Sequence, residues 1–135
     1  MSSVAPVVRY LIICEDVQAD PANPHRITIV GLLTAIRSVE YPPFPLRYRE
    51  MCVFVQLTES RGPANLYVEI IHADSGQRVV RTKTRRVAFP RDPLEVHAVV
   101  FRITDLTFSE PGLYLTRFRY NEIVIAEQPV LLREP

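Results

Sequence analysis

The sequence predicts an all-β protein, a single-domain antiparallel β-sandwich of about eight strands over residues 1–135. Short apolar segments alternate with polar residues at period two, and turn signals recur roughly every 8–12 residues. Twelve prolines and four glycines punctuate the chain. No segment has a convincing 3.6-residue period. The length of 135 residues allows one domain with a substantial core, but not two ordinary ones.

The C-terminal segment, residues 111–129, predicts a β-hairpin. Tyr114, Thr116, Phe118 and Tyr120 should face the core, and Leu113, Leu115, Arg117 and Arg119 should face away from it. A two-residue turn at Asn121-Glu122 would pair Tyr120 with Ile123, Arg119 with Val124, Phe118 with Ile125 and Arg117 with Ala126. Because Pro129 has no N–H to donate, the last strand should be an edge strand or bulged at that point.

Six further strands are predicted at residues 7–14, 26–36, 51–58, 66–72, 79–89 and 94–103. Gly31 interrupts the second, which indicates a bulge or a close backbone approach. Residues 66–71 and 94–103 are partly apolar on both faces and should be central strands, whereas the hairpin and the basic strand 79–89 should lie nearer the edges. Residues 15–25 should form a polar loop and residues 41–45 a proline-rich crossover. Asp74-Ser75-Gly76-Gln77 and Arg91-Asp92-Pro93 are predicted turns.

The chain has no tryptophan, which disfavours a true immunoglobulin domain and leaves an immunoglobulin-like or fibronectin-like topology open. The net charge is +1, so no overall attraction to polyanions is indicated. The sequence contains no apolar run long enough for a membrane span, and residues 1–6 lack the pattern of a signal peptide. We therefore expect a cytoplasmic protein that binds neither membranes nor nucleic acids.

Residues 11–17, 27–33, 108–114 and 123–130 resemble a bacterial family of small, single-domain β-sandwich proteins of unknown function. The shared features are turn glycines, core alternation and a closing hairpin. The resemblance implies the fold and assigns no catalytic, ligand or cofactor residues.

The strand of residues 78–86 is unusually basic. Period two would place Arg81, Lys83 and Arg85 on one face, with Arg91 as an extension, and such a row binds phosphate groups or an acidic partner. A solvated edge strand whose charges prevent aggregation is the simpler interpretation. Aromatic residues that would stack on bases are absent from the strand before Phe89.

Other potential ligands are scattered. Glu15, Asp16 and Asp20 could supply oxygen ligands to calcium, but their spacing matches no known loop, and a polar connection explains them more simply. His25, His72 and His97 lie on three separate segments without zinc-ligand spacing. Cys14 and Cys52 are expected to be buried free thiols. We therefore predict no metal site, no cofactor and no catalytic residues.

The outward face of the hairpin combines Leu113, Leu115, Val124 and Ala126 with Arg117 and Arg119, a composition found at protein interfaces. Scattered surface apolar residues are the alternative explanation. We expect a non-enzymatic interaction module that self-associates, as a homodimer, or binds a protein partner. The contact would use this face, with Leu113, Leu115, Arg117, Arg119 and Val124, or an edge strand. The alternative function is binding of a small ligand or polyanion by Arg81, Lys83 and Arg85.

Overall fold

A computed structural model describes residues 5–89, 92 and 94–135. Within these residues the chain forms ten strands in two sheets and no helix. In chain order they are β1 (Val7–Asp20), β2 (Asn23–Leu32), β3 (Ala35–Arg37), β4 (Leu46–Thr58), β5 (Gly62–His72), β6 (Arg78–Arg81), β7 (Arg85–Phe89), β8 (His97–Phe108), β9 (Gly112–Tyr120) and β10 (Ile123–Arg133). The predicted all-β sandwich is confirmed.

One sheet has four strands in the order β2-β1-β4-β8. The other has six, in the order β3-β10-β9-β5-β6, and β7 also pairs with β5. The pairing of β3 with β10 is parallel, unlike the other ladders of the described chain. The connection at residues 38–45 carries the chain from β3 in the larger sheet to β4 in the smaller one, as the proline-rich crossover predicted.

The core fills the space between the two sheets. It includes Met51, Val53 and Val55 from β4 and Phe101 from β8, which face Leu66, Val68 and Phe118 across the gap. Aromatic rings contact each other across this core, with the centroids of Phe101 and Phe118 6.2 Å apart. The four alternate residues of β9 predicted to face inward are all buried, Tyr114, Thr116, Phe118 and Tyr120.

The structure has ten strands in the described chain instead of the predicted eight, because two of the long predicted strands are each divided into two. Residues 26–36 separate into β2 and β3. Residues 79–89 separate into β6 and β7, since residues 82–84 leave the strand conformation. Residues 15–25 are not a polar loop, because β1 and β2 continue through them and pair their backbone groups as far as Asp20 and Asn23. Residues 1–4 and the predicted turn residues Arg91 and Pro93 lie outside the described residues.

The predicted positions within the sheets are partly right. β5 is central and the basic strands β6 and β7 lie at an edge, as expected. β8 is an edge strand, so the central position predicted for residues 94–103 is wrong. β9 lies inside its sheet, whereas β10 pairs with β3 only from Leu131 to Arg133 and is otherwise an edge.

The hairpin register agrees with the prediction near the turn and then departs from it. Tyr120 pairs with Ile123 and Arg119 with Val124, and Asn121 and Glu122 both have positive φ, as the predicted turn requires. A bulge at Ile125 then shifts the ladder by one residue. Phe118 therefore pairs with Ala126 instead of Ile125, and Arg117 with Glu127 instead of Ala126.

Candidate functional site

Four of the predicted interface residues, Leu113, Leu115, Arg117 and Arg119, alternate with the buried residues of β9 and lie on the outer side of the six-stranded sheet. Val124 pairs with Arg119 on that side. Leu113 is 42% exposed and Val124 37% exposed. We call the outward side chains of β9, β10 and β5 the hairpin face. Ala126 does not belong to it, because the bulge turns that residue toward the core.

One half of the hairpin face is apolar. Leu115 pairs with Pro129 and with Ile71, and Leu113 pairs with Leu131. Three adjacent strands therefore place five apolar side chains side by side on the outside of the sheet. Leu113 and Pro129 are exposed, and the other three are half-buried.

The other half of the hairpin face consists of ion pairs. Arg119 donates through Nε and Nη2 to Glu69 Oε1, at 2.8 and 2.7 Å, and through Nη1 to the Glu122 carbonyl at 2.7 Å. Arg117 Nε donates to Glu127 Oε2 at 2.8 Å. Glu69 is only 6% exposed although it lies on the outer side, because the arginines cover it. The hydrogen bond to Glu69 raises the pKa of Arg119, so its charge is permanent.

Tyr67 connects this network to the basic strand. Its hydroxyl donates to Glu122 Oε2 at 3.0 Å, and the Arg81 guanidinium lies 4.1 Å from the ring centroid. Burial, followed by the hydrogen bond with Glu122, raises the pKa of the Tyr67 hydroxyl. Arg81 of β6 is therefore a cation–π partner of Tyr67 at the border of the hairpin face.

The predicted row of Arg81, Lys83 and Arg85 is not a single row. The interruption at residues 82–84 separates Arg81 from Arg85, whose guanidinium lies 4.8 Å from the centroid of the Phe101 ring in the opposite sheet. Lys83 and Arg85 line a cleft of about 450 Å³ between residues 80–85 and β8, and Arg81 does not. Arg91, the predicted extension, lies outside the described residues.

The acidic residues predicted as a loop belong to β1. Asp16 Oδ1 accepts a hydrogen bond from Arg102 Nη1 at 2.7 Å, and this bond holds the pKa of Asp16 below its usual range. Asp20 caps the turn by accepting from the Ala22 N–H at 2.9 Å. Within residues 5–89, 92 and 94–135, no group of three or more His, Cys, Asp or Glu side chains could hold a metal ion.

Arg102 also holds the first hairpin, β1–β2, against the outer side of the smaller sheet. Its Nη2 donates to the Val17 carbonyl at 2.9 Å. Val17, Ile27 and Ile29 from the hairpin pack with Cys52 and Phe54 of β4, which point away from the central core. We call residues 15–31 the arm. Gly31 allows the close approach of its two strands, because a Cβ at that position would lie 2.7 Å from the Glu15 side chain.

The sequence did not predict the polar cluster that Ser75 and Glu110 form around His72. His72 is buried, and its Nδ1 lies 2.9 Å from Ser75 Oγ and 3.2 Å from Glu110 Oε1. A catalytic triad needs the serine and the carboxylate on opposite ring nitrogens. Here both approach Nδ1, while Nε2 faces the Pro111 carbonyl at 3.3 Å. The cluster fastens the turn at residues 73–77 to the start of β9.

The remaining predicted ligands are dispersed. His25 is exposed in the arm, and His97 packs edge-to-face on Phe89 with centroids 5.5 Å apart. Cys14 and Cys52 are buried free thiols, as predicted, and they are register partners on β1 and β4. Burial is the main cause that raises the pKa of Cys14 to about 11, with Cys52 beside it as the next.

The family model described as "Family of unknown function (DUF6941)" matches residues 9–133, so the chain belongs to this family. The expected resemblance to a family of unknown function is thereby confirmed in its coarser form. A bacterial source stays a prediction. No curated protein matches the chain significantly.

A solved structure with a TM-score above 0.5 shares the fold. A DNA-bound alkylpurine DNA glycosylase AlkC from Pseudomonas fluorescens superposes with a TM-score of 0.54 and 12% identity over 95% of this chain. A β-glucosidase from Listeria innocua gives a TM-score of 0.48 and 12% identity over 93% of this chain. The aligned regions are 30% and 16% of the lengths of those two chains. At such identity the likeness to the glycosylase concerns the fold alone. Among the described residues there is no helix that could serve as a membrane span.

Proposed function

We propose that this member of a family of unknown function is a non-enzymatic interaction module that forms a homodimer through the hairpin face. The observation that carries the proposal is the contrast between the outer surfaces of the two sheets. The arm covers the outer side of the four-stranded sheet, whereas the apolar half of the hairpin face is exposed or half-buried.

The hairpin face is large enough for a specific contact. Three neighbouring strands about 4.8 Å apart, each about nine residues long at roughly 3.3 Å per residue, give a projected area of roughly 400–450 Å². Side-chain relief increases the accessible area toward the ~800 Å² per partner of a standard interface.

A second copy of the chain suits this face better than a strongly charged partner. Arg117 and Arg119 are already balanced by Glu127 and Glu69, so the face offers both signs of charge. Across a two-fold axis these pairs can exchange partners while the apolar halves meet, because a two-fold interface is self-complementary. A polyanion would have to displace the bound carboxylates.

The sheet edges are poorer candidates than the face. Along β10 the open edge carries the bulge at Ile125 and also Pro129, which has no N–H to donate. The edge at β7 begins with Arg85 and Arg86, whose charges disfavour strand addition.

Three finer assignments accompany the proposal: an immunoglobulin-like arrangement, a bacterial source and a cytoplasmic location. Cys14 and Cys52 support the cytoplasmic location. They are register partners on adjacent strands, and yet they do not form a disulfide. Free thiols so placed are typical of reducing compartments.

Sedimentation velocity across micromolar to millimolar protein tests the proposal. The native chain should dimerise, and Leu115→Arg should weaken the dimer at least about 100-fold by placing an unpaired charge in the apolar half. The matched control is Val39→Arg, which adds the same charge at a side chain that is 89% exposed and lies off the face. A monomer at every concentration would overturn the homodimer. A dimer that tolerates Leu115→Arg as well as Val39→Arg would overturn its location.

A further inference from the structure

The cleft between residues 80–85 and β8 is lined by basic, hydroxyl and apolar side chains. Its volume is about 450 Å³, and its charged lining residues are Lys83, Arg85 and Arg102. Thr84 and Thr104 add hydroxyl groups, and no aspartate or glutamate lines the cleft. Its inner wall contains Phe101 and Ile103, which are buried in the core.

Two of the three cations are free to bind an anion. Arg102 is engaged with Asp16, Val17 and Glu50. Lys83 and Arg85 have no ion pair with any carboxylate among the described residues. They differ in this from Arg117 and Arg119, whose charges are balanced.

The interruption between β6 and β7 positions these groups. Thr82 is bonded to both backbone groups of Val68 in β5. Its backbone N–H donates to the Val68 carbonyl at 2.9 Å, and its Oγ1 accepts from the Val68 N–H at 3.0 Å. This anchor fixes the backbone immediately before Lys83. The segment is therefore held at the cleft although it is not a strand.

Arg85 is held in a way that leaves its donors available. Its guanidinium carbon lies 4.8 Å from the Phe101 ring centroid. The Arg85 side chain makes no hydrogen bond within the described residues, so its five N–H groups remain for an acceptor. Val80, which lines the cleft and is half-buried, is an apolar neighbour for a carbon substituent on that acceptor.

We infer that this cleft binds a small phosphate monoester, with Lys83 and Arg85 on the phosphate oxygens and Thr84 and Thr104 as hydroxyl donors. An ammonium, a guanidinium and two hydroxyls provide more donors than the two oxygens of a carboxylate use, and they suit the several acceptor sites of a phosphate. The apolar wall favours an ester with an organic group over inorganic phosphate. The inference is independent of the homodimer, because none of the residues that line the cleft belongs to β5, β9 or β10.

Isothermal titration calorimetry with phenyl phosphate, inorganic phosphate and benzoate tests the inference. Phenyl phosphate should bind more tightly than inorganic phosphate, benzoate should bind most weakly, and added salt should weaken all three. The double variant Lys83→Ala with Arg85→Ala should lower the affinity for phenyl phosphate at least about tenfold, because each lost group donated a charge-assisted hydrogen bond.

Two controls separate a site from general charge attraction. Arg61→Ala with Arg86→Ala removes the same charge outside the cleft and should change the affinity less than about twofold. In the native protein, phenyl phosphate should shift the amide resonances of Lys83, Thr84 and Thr104, which needs no variant. No saturable binding of phenyl phosphate, equal losses in both double variants, or shifts confined to other residues would each overturn the inference.

Discussion

The first hairpin, β1–β2, and the last, β9–β10, have opposite relations to the sheets they belong to. The ladder between β1 and β4 ends at Cys14, so beyond that residue β1 is bonded only to β2, the pair is free to bend, and the arm covers the outer side of its own sheet. β9 is bonded on both sides, by β5 and β10, and β3 pins the end of β10. The last hairpin therefore stays in the plane of its sheet and leaves its outward residues uncovered.

The difference appears in the burial of comparable residues. Phe54 on the outer side of the smaller sheet is 4% exposed, whereas Leu113 on the hairpin face is 42% exposed. A strand that is hydrogen-bonded on one side only can bend over its sheet and form a second, smaller core. A strand bonded on both sides cannot do so, and its outward apolar residues stay available to a partner.

Replacement of Phe54 should give the largest effect. If the arm makes a true core, Phe54→Ala should cost about 3–5 kcal/mol of unfolding free energy, as for other buried aromatic residues. Leu115→Ala on the hairpin face should cost less than about 1 kcal/mol in the monomer. Urea unfolding at low protein concentration, where dimerisation does not contribute, measures both. Equal costs would remove the contrast between the two surfaces.

Removal of the Arg102 contacts should open the arm without unfolding the sandwich. Burial keeps the pKa of Cys14 at about 11, so about one thiol in a thousand is ionised at pH 8, and native labelling should be slow. Arg102 also donates to Cys52 Sγ at 3.3 Å. We expect Arg102→Met to accelerate labelling of the thiols by a chromogenic disulfide about tenfold, because opening of the arm becomes easier.

Arg117→Met is the matched control for that experiment, since it removes an arginine–glutamate pair from the hairpin face. Its labelling rate should equal that of the native protein. Acceleration in both variants would indicate a general loss of stability instead of release of the arm.

Acid should have the smallest effect, through Asp16. Its pKa is held below 3.8 in the folded protein by the hydrogen bond from Arg102, so its contribution is complete above pH 3.8 and is lost as the pH falls through the lowered value. The stability difference between the native protein and Asp16→Asn should be present at pH 5 and should close in stronger acid. Glu50, 3.7 Å from Arg102, remains as a second partner and keeps the change small. A difference that persists unchanged in stronger acid would show that Asp16 does not act through its charge.

The last hairpin shows how far local sequence predicts this fold. Alternation from Tyr114 to Tyr120 identified the buried face, and Asn121-Glu122 identified the turn, because both depend on neighbouring residues alone. The bulge at Ile125 was missed. It exchanges Ala126 for Glu127 opposite Arg117, so a carboxylate replaces the methyl group that the sequence suggested.

The candidate sites required contacts between distant segments. Glu69, which neutralises Arg119, lies 50 positions away in sequence, and the Arg102–Asp16 contact joins residues 86 positions apart. The sequence predicted one continuous basic strand. Its pairing with β5 shows that the strand is interrupted at residues 82–84. Because of this interruption, Arg81 contacts Tyr67 and Arg85 contacts Phe101.

The sequence by itself determined the all-β class, the inward face of β9, the closing turn and the buried thiols, since period-two alternation and turn chemistry act over a few residues. The tertiary structure alone decided which strands became edges, which outer surface is covered and which arginines are left without a carboxylate. Those outcomes depend on strand order and on a one-residue bulge, and neither leaves a signature in local composition.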